Sequence, residues 1–261
     1  MGRINISGFV EAYIRELSLK ISIHNPSYRL SSCQSYWLGF CLTGILLSNE
    51  INWSQYSRLS FGYYKISALS WMFRHSKVNF ELLLSESIRH ILTNYGIRSG
   101  SIVFDDTDNE RSKNAVHIHG LGKQKDKKSG GYFLGQNILF MLLVTDKVTI
   151  PIGFKFYEND PSWLKWKKED DTLRSKKVKK ANRAEEPLPD YKKYPTKQML
   201  CIQLTANFKA NFPDFKVISI MADCFFGTFW YKELDIRYFS YLSKSTAYQP
   251  IEIKSSNYLS K

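Results

Sequence analysis

The stretch "SIVFDDTDNERSK", residues 101–113, decides how this chain is read. Its apolar run, Ile102, Val103 and Phe104, has the length and composition of a short buried strand, and it ends in Asp105, Asp106 and Asp108. Carboxylates crowded at the tip of a buried strand repel one another unless something positive stands between them. The chain as a whole is basic: its 261 residues include 37 Lys and Arg against 24 Asp and Glu, a formal net charge of +13. An excess of that size favours a polyanionic partner, nucleic acid before an anionic membrane surface.

Other totals narrow the class. An apolar content of 43% and an aromatic content of 15% suit a packed core and exclude a disordered chain. Cys33, Cys41, Cys201 and Cys224 are scattered with no CxxC pair. That spacing suggests neither a zinc knuckle nor a disulfide framework and fits a reducing, cytoplasmic setting. The opening "MGRINISGF" has no signal-peptide core, and Ile6 breaks the myristoylation pattern. The most apolar stretch, "YWLGFCLTGILL" (residues 36–47), is short of the roughly 20 residues a membrane helix needs, so a buried helix is expected and no membrane partner.

Upstream of the acids, residues 1–99 read as a bundle of short helices. "SGFVEAYIRELSLKI" spaces Phe9, Val10, Tyr13, Ile14 and Leu17 helically, with Ser7 as a candidate cap. In "VNFELLLSESIRHILTNYGI", Asn79 is placed to cap a helix beginning near Phe80 and Gly96 to close it. Arg74 and Lys77 offer DNA contacts there, without a clear helix-turn-helix pattern.

Downstream of Gly100 the texture changes to strands. "GYFLGQNILFMLLV" is long and apolar, and "KVTIPIGFKFY" alternates so that Val148, Ile150, Ile152, Phe154 and Phe156 share one face. "TDK", residues 145–147, forms the hairpin turn between them. A helix capped by Thr196, a strand "FKVISIMAD" ending at Asp223, a helix "GTFWYKEL" and a last strand "IRYFSYL" follow. Residues 158–195 are polar and basic, carry Pro187, Pro189 and Pro195, and show no apolar face. They read as a solvated loop or mobile arm inserted between core elements.

Three antiparallel strands followed by two strands returning through helices is the order of a ribonuclease-H-like mixed sheet with flanking helices, here preceded by the helical domain. In that order the first and fourth strands end side by side, which brings Asp105 or Asp106 beside Asp223. Adjacent carboxylates of this kind select hard cations, Mg²⁺ or Mn²⁺. Two such ions can clamp the attacking and leaving oxygens of a phosphodiester. Taken alone, "DDT" also suits a turn, and Asp223 also suits a helix cap.

The words "FDDTDNERSK", "DKKSGGYFLGQNILFMLLV", "TIPIGFKFY", "YPTKQML" and "ISIMADCFFGTFWY", in this order, resemble the DDE transposases of bacterial insertion sequences, in the insertion-sequence-four-type branch. "WMFRHSKVNFELLL" resembles the helical N-terminal part of that family. The resemblance implies a ribonuclease-H-like catalytic core over residues 100–261 with two metal ions. It further implies cleavage and joining of double-stranded transposon ends, a homodimer on DNA, and residence with the bacterial nucleoid. The family's first acid falls in the "DDT" unit. Alternation does not separate Asp105 from Asp106, and Asp105 is favoured because it follows the apolar run directly and stands two places before Thr107. Asp223 matches the second acid, so the expected metal ligands are Asp105 and Asp223.

The family's third acid lies in a Tyr-Arg-Glu-Lys signature that this sequence lacks. Glu233 follows Asp223 too closely, and Glu252 is a weak stand-in. The expectation is therefore a transposase-type chain, truncated or degenerate and inactive alone. The alternatives are a non-catalytic DNA-binding remnant that inhibits transposition, or another nuclease of the same fold.

The expected DNA contacts are Lys125, Lys127 and Lys128 beside the acids, together with Lys165, Lys167, Lys168, Arg174, Lys176, Lys177, Lys179, Lys180 and Arg183 in the basic insertion. Trp163 and Trp166 either stack on unpaired bases or pack on the core. His117 and His119 are expected on one side of a strand, in a structural or solvent-facing role. Gly130 and Gly131 are expected to shape a turn.

Overall fold

The computed structural model describes residues 8–48, 52–126, 129–223 and 237–241. The chain divides into two compact units at Gly96/Ile97.

The first unit holds α1 (Gly8–His24), α2 (Ser32–Leu47), α3 (Trp53–Leu59), α4 (Ile66–His75) and α5 (Phe80–Asn94). α1 buries Val10, Ile14, Leu17 and Ile21, a stripe at helical spacing. Phe9 lies off that stripe and is exposed, contrary to the expected face. The expected cap Ser7 lies outside the described residues. α2 is capped by a reciprocal box: the Gln34 amide donates to Ser31 Oγ at 3.2 Å and the Ser31 amide to Gln34 Oε1 at 2.8 Å. Asn79 caps α5 by accepting from the Leu82 amide at 3.0 Å, and Gly96 takes the left-handed φ of +61° that closes the helix. Two apolar clusters hold the bundle, one around Leu17, Ile21, Leu30, Val78 and Leu83, the other around Trp37, Phe40, Tyr56 and Leu69. Gly44 is required in the second, because a Cβ there would sit 2.8 Å from the Tyr56 ring.

The second unit is mixed α/β. Its strands are β1 (Ser99–Glu110), β2 (Gly122–Lys125), β3 (Tyr132–Val144), β4 (Thr149–Tyr157), β5 (Lys216–Asp223) and β6 (Arg237–Tyr241). Its helices are α6 (Pro161–Ser175) and α7 (Lys197–Asn211), with a 3-10 turn at Lys180–Asn182. Among the described residues these strands form one sheet in the order β2–β3–β1–β5–β6, with β4 also on β3. β1, β3 and β4 run antiparallel, and β5 and β6 run parallel to β1. β2 pairs with residues 132–135 of β3 and β4 with residues 137–144, so the two divide one edge of β3 between them.

One face of the sheet is the core. Ile102, Phe104, Leu139, Met141, Leu143, Ile220 and Ala222 are buried there, and α7 contributes Leu200, Cys201, Leu204 and Phe208. Thr196 caps α7 as expected, accepting from the Met199 amide at 3.2 Å. The hairpin at Thr145 also matches, with Thr145 Oγ1 accepting from the amides of Lys147 and Val148 at 3.2 and 3.0 Å.

Four further expectations are corrected. β1 does not end at the acids; it runs on to Glu110, because its ladder with β3 continues to the Glu110–Gly135 pair. The alternation of β4 breaks at Ile152, where the register steps from Met141–Gly153 to Leu142–Pro151 and leaves Ile152 as an extra residue. One inserted residue reverses every side chain beyond it. Ile150 therefore faces the core side of the sheet, while Phe154 and Phe156 share the opposite face and Phe154 is 48% exposed.

The insertion is not a structureless arm. Asp160 caps α6 by accepting from the Ser162 amide at 2.8 Å, Pro161 opens the helix, and the returning chain is clasped to it. Trp163 Nε1 donates to Glu186 Oε1 at 2.8 Å, Trp166 Nε1 donates to the Ala184 carbonyl at 2.9 Å, and Arg183 pairs with Asp170 at 2.7 Å. Polar clasps hold what an apolar face does not. Finally, His117 and His119 lie in the connection between β1 and β2, not on a strand, and His117 has a φ of +59°. Lys127, Lys128, Cys224, the expected helix after Asp223, Glu233 and Glu252 lie outside the described residues.

Candidate metal and DNA site

Because β1 continues past the apolar run, its acids are sorted by strand alternation onto opposite faces. Asp106 and Asp108 share the face of Phe104 and the α7 side of the sheet. Asp105 shares the other face with Val103 and is exposed.

Asp106 is fully engaged. Lys197 Nζ, on the first turn of α7, donates to Asp106 Oδ2 at 2.6 Å, and both side chains are mostly buried. Asn137 Nδ2, on β3, donates to Asp106 Oδ2 at 3.0 Å and to Asp108 Oδ1 at 2.7 Å. One amide thus bridges two carboxylates, and one ammonium neutralises the nearer of them. Tyr157 closes this nest, its ring centroid 5.0 Å from Lys197 Nζ, and burial raises the pKa of its phenol. Cys201, one helical turn after Lys197, has its thiol pKa pushed up by burial, with Lys197 acting in the opposite direction. Beside the nest, Gln136 accepts from Arg111 Nε at 2.9 Å and donates to the His119 carbonyl at 2.5 Å, which pins the β1–β2 connection.

Asp105 has a lighter set of contacts, its Oδ1 accepting from the Asp106 amide at 2.9 Å. Its position is defined by register. β1 and β5 pair in parallel up to Phe104–Ala222, and the next residue on each strand is Asp105 and Asp223. The backbone therefore brings these two acids to one level of adjacent strands. Among the described residues no group of three or more His, Cys, Asp or Glu side chains is placed to hold a metal ion. A hard cation suits the carboxylate of Asp105, which is open to solvent. It does not suit Asp106, which already has a cation.

The expected DNA contacts separate by environment. Lys165, Lys167, Lys168, Arg174, Lys176, Lys177, Lys179 and Lys180 lie on α6 or just beyond it, and most are exposed. Arg183 is turned inward to Asp170. Lys125 stands on β2. Sequence reading missed Lys197 and Asn137. The signal for Asn137 was present: Gln136 and Asn137 are a polar pair inside the long apolar run of β3, and buried amides demand partners. Nothing local links Lys197 to an acid 91 residues earlier.

No protein-family model, curated protein or solved structure matches this chain. Among the described residues no helix is long and apolar enough to cross a membrane.

Proposed function

We propose that residues 100–261 form a ribonuclease-H-like core of the DDE transposase type, a class that acts on double-stranded DNA with divalent cations, and that this core, without the family's glutamate signature, binds metal and DNA but is inactive alone. One observation supports this reading: Asp105 and Asp223 each directly follow the last paired residues, Phe104 and Ala222, of parallel β1 and β5, in a sheet ordered β4–β3–β1–β5–β6. Asp105 and Asp223 would hold Mg²⁺ or Mn²⁺, which supplies Lewis-acid stabilisation to a phosphodiester under attack. Asp106 serves a different purpose. Tied to Lys197 and Asn137, it fixes β1 against α7 and β3, and so fixes the backbone that presents Asp105. The excess of Lys and Arg attracts the DNA, since neutralised phosphates release counterions.

The test is Mn²⁺ binding followed by electron paramagnetic resonance. Asp105→Ala and Asp223→Ala are expected to weaken binding at least tenfold, and Asp106→Asn to change it far less. Equal affinity in all four proteins would overturn the reading and leave DNA binding without metal chemistry.

A further inference from the structure

Between β2 and α6 runs an open cleft of about 730 Å³ whose walls combine four lysines and one acid, Asp171, with two aromatic rings, Tyr132 exposed and Trp163 half-buried. Lys123 and Lys125 rise from β2, Lys167 and Lys168 from α6, and Tyr132 and Trp163 stand among them. Each ring has a lysine laid across it. Lys123 Nζ is 4.4 Å from the centroid of Tyr132, and Lys167 Nζ is 4.6 Å from that of Trp163. Trp163 is also held by its edge, because its indole N–H is committed to Glu186.

We infer that this cleft binds an unpaired strand of DNA, with bases stacked on Trp163 and Tyr132 and phosphates on the four lysines. The inference rests on the reading above only in taking DNA as the substrate. The chemistry is specific to unpaired bases. A base stacked on an aromatic ring gains more than an exposed ammonium resting on the same ring. An arriving base therefore displaces the lysine from the ring face, and the released ammonium is left beside the backbone that carries that base. A duplex offers no such exchange, since its base faces are already stacked on one another. A concave groove between a strand and a helix also suits one chain better than the convex side of a double helix. The Glu186 clasp holds the indole in a fixed orientation, so little freedom is lost on stacking.

The test is fluorescence anisotropy of a labelled oligothymidylate of about 12 nucleotides, in EDTA, against a duplex of equal length, an RNA of the same length, and dextran sulfate as competitor. The single strand is expected to bind more tightly than the duplex. Trp163→Leu and Tyr132→Leu should each weaken it on the order of tenfold, while leaving duplex binding unchanged. Trp163→Phe keeps a stacking face but loses the donor to Glu186, and it should retain most of the affinity. Lys123→Gln combined with Lys167→Gln should reduce the salt slope by about 1.4, at roughly 0.7 per phosphate contact on a single strand. Circular dichroism establishes that each variant is folded. The inference fails if the duplex or the RNA binds more tightly, if dextran sulfate competes as well as the oligonucleotide, or if Trp163→Phe loses as much as Trp163→Leu. Because the assay contains no free metal, its outcome is independent of Asp105 and Asp223. Failure here with intact Mn²⁺ binding removes the cleft alone, and the converse removes the catalytic reading alone.

Discussion

Lys197 Nζ lies 2.6 Å from Asp106 Oδ2, joining the first turn of α7 to the middle of β1. Both side chains are withdrawn from water, at 14% and 22% exposure, so removing one partner leaves the other's charge poorly solvated. Lys197→Met should destabilise the sheet by about 3 kcal/mol, and Lys197→Met with Asp106→Leu should recover much of that loss. Hydrogen exchange of the α7 and β1 amides measures both. Single and double variants that open equally fast would show that the pair contributes nothing.

Gly135 lies where β1 and β2 both meet β3. A Cβ there would fall 2.6 Å from the Phe133 ring and 2.7 Å from the Asn109 carbonyl oxygen. The ring can turn aside, but the carbonyl belongs to the β1 ladder. Gly135→Ala is therefore expected to cost about 1–3 kcal/mol, with faster exchange near Asn109 and Glu110. Retention of the wild-type unfolding midpoint would count against this packing.

The cap of α6 makes the basic hairpin sensitive to acid. Burial pushes the Asp160 carboxyl upward, but the backbone amides of Ser162 and Asp190 outweigh it and hold the group below its ordinary value. A carboxylate lowered in the folded state contributes its stability in full above the unfolded value, near pH 4, and loses it as pH falls through the lowered folded value. Limited proteolysis in residues 176–190 should therefore increase in the wild type as pH falls through that lowered value, whereas Asp160→Asn, with no carboxylate to titrate there, should be cut faster already at neutral pH and lack that acid step. Identical profiles would exclude the cap as the cause.

Thiol chemistry reports on the packing of both units. Burial pushes the Cys41 thiol up to about 12, and Cys201, fully enclosed under α7, is raised in the same direction. Cys33 is exposed. A brief iodoacetamide pulse near pH 8, read by peptide mass spectrometry, should label Cys33 well before Cys41 and Cys201. Prompt labelling of Cys201 would mean that α7 lifts readily from the sheet.

Much of the fold was legible because it is written in local patterns: the capping residues Asn79 and Thr196, the turn at Thr145, and the apolar runs that became β1, β3 and β5. What was not legible depends on partners far away in sequence. Alternation in "KVTIPIGFKFY" is real, but the extra residue at Ile152 is dictated by how β3 pairs with β4, and it reverses Phe154 and Phe156. The basic insertion lacks an apolar stripe, yet it is held by indole and guanidinium bonds to residues such as Glu186 and Asp170 that composition does not distinguish from solvated ones. For the acids, strand alternation did not separate Asp105 from Asp106, and the preference for Asp105 came from its place after the apolar run and the family resemblance. The physical difference between them, Lys197 reaching from α7 to Asp106, depends on a contact 91 residues apart.

Pro151, beside the extra residue in β4, also bears on how copies of this protein meet. Among the described residues β4 has β3 as its one strand neighbour, so its outer side is a template for a foreign strand. Pro151 supplies no N–H for such a strand, and the irregularity at Ile152 spoils the spacing of the carbonyls around it. A sheet margin rich in Phe and Ile is thereby denied the continuous ladder that fibre growth requires.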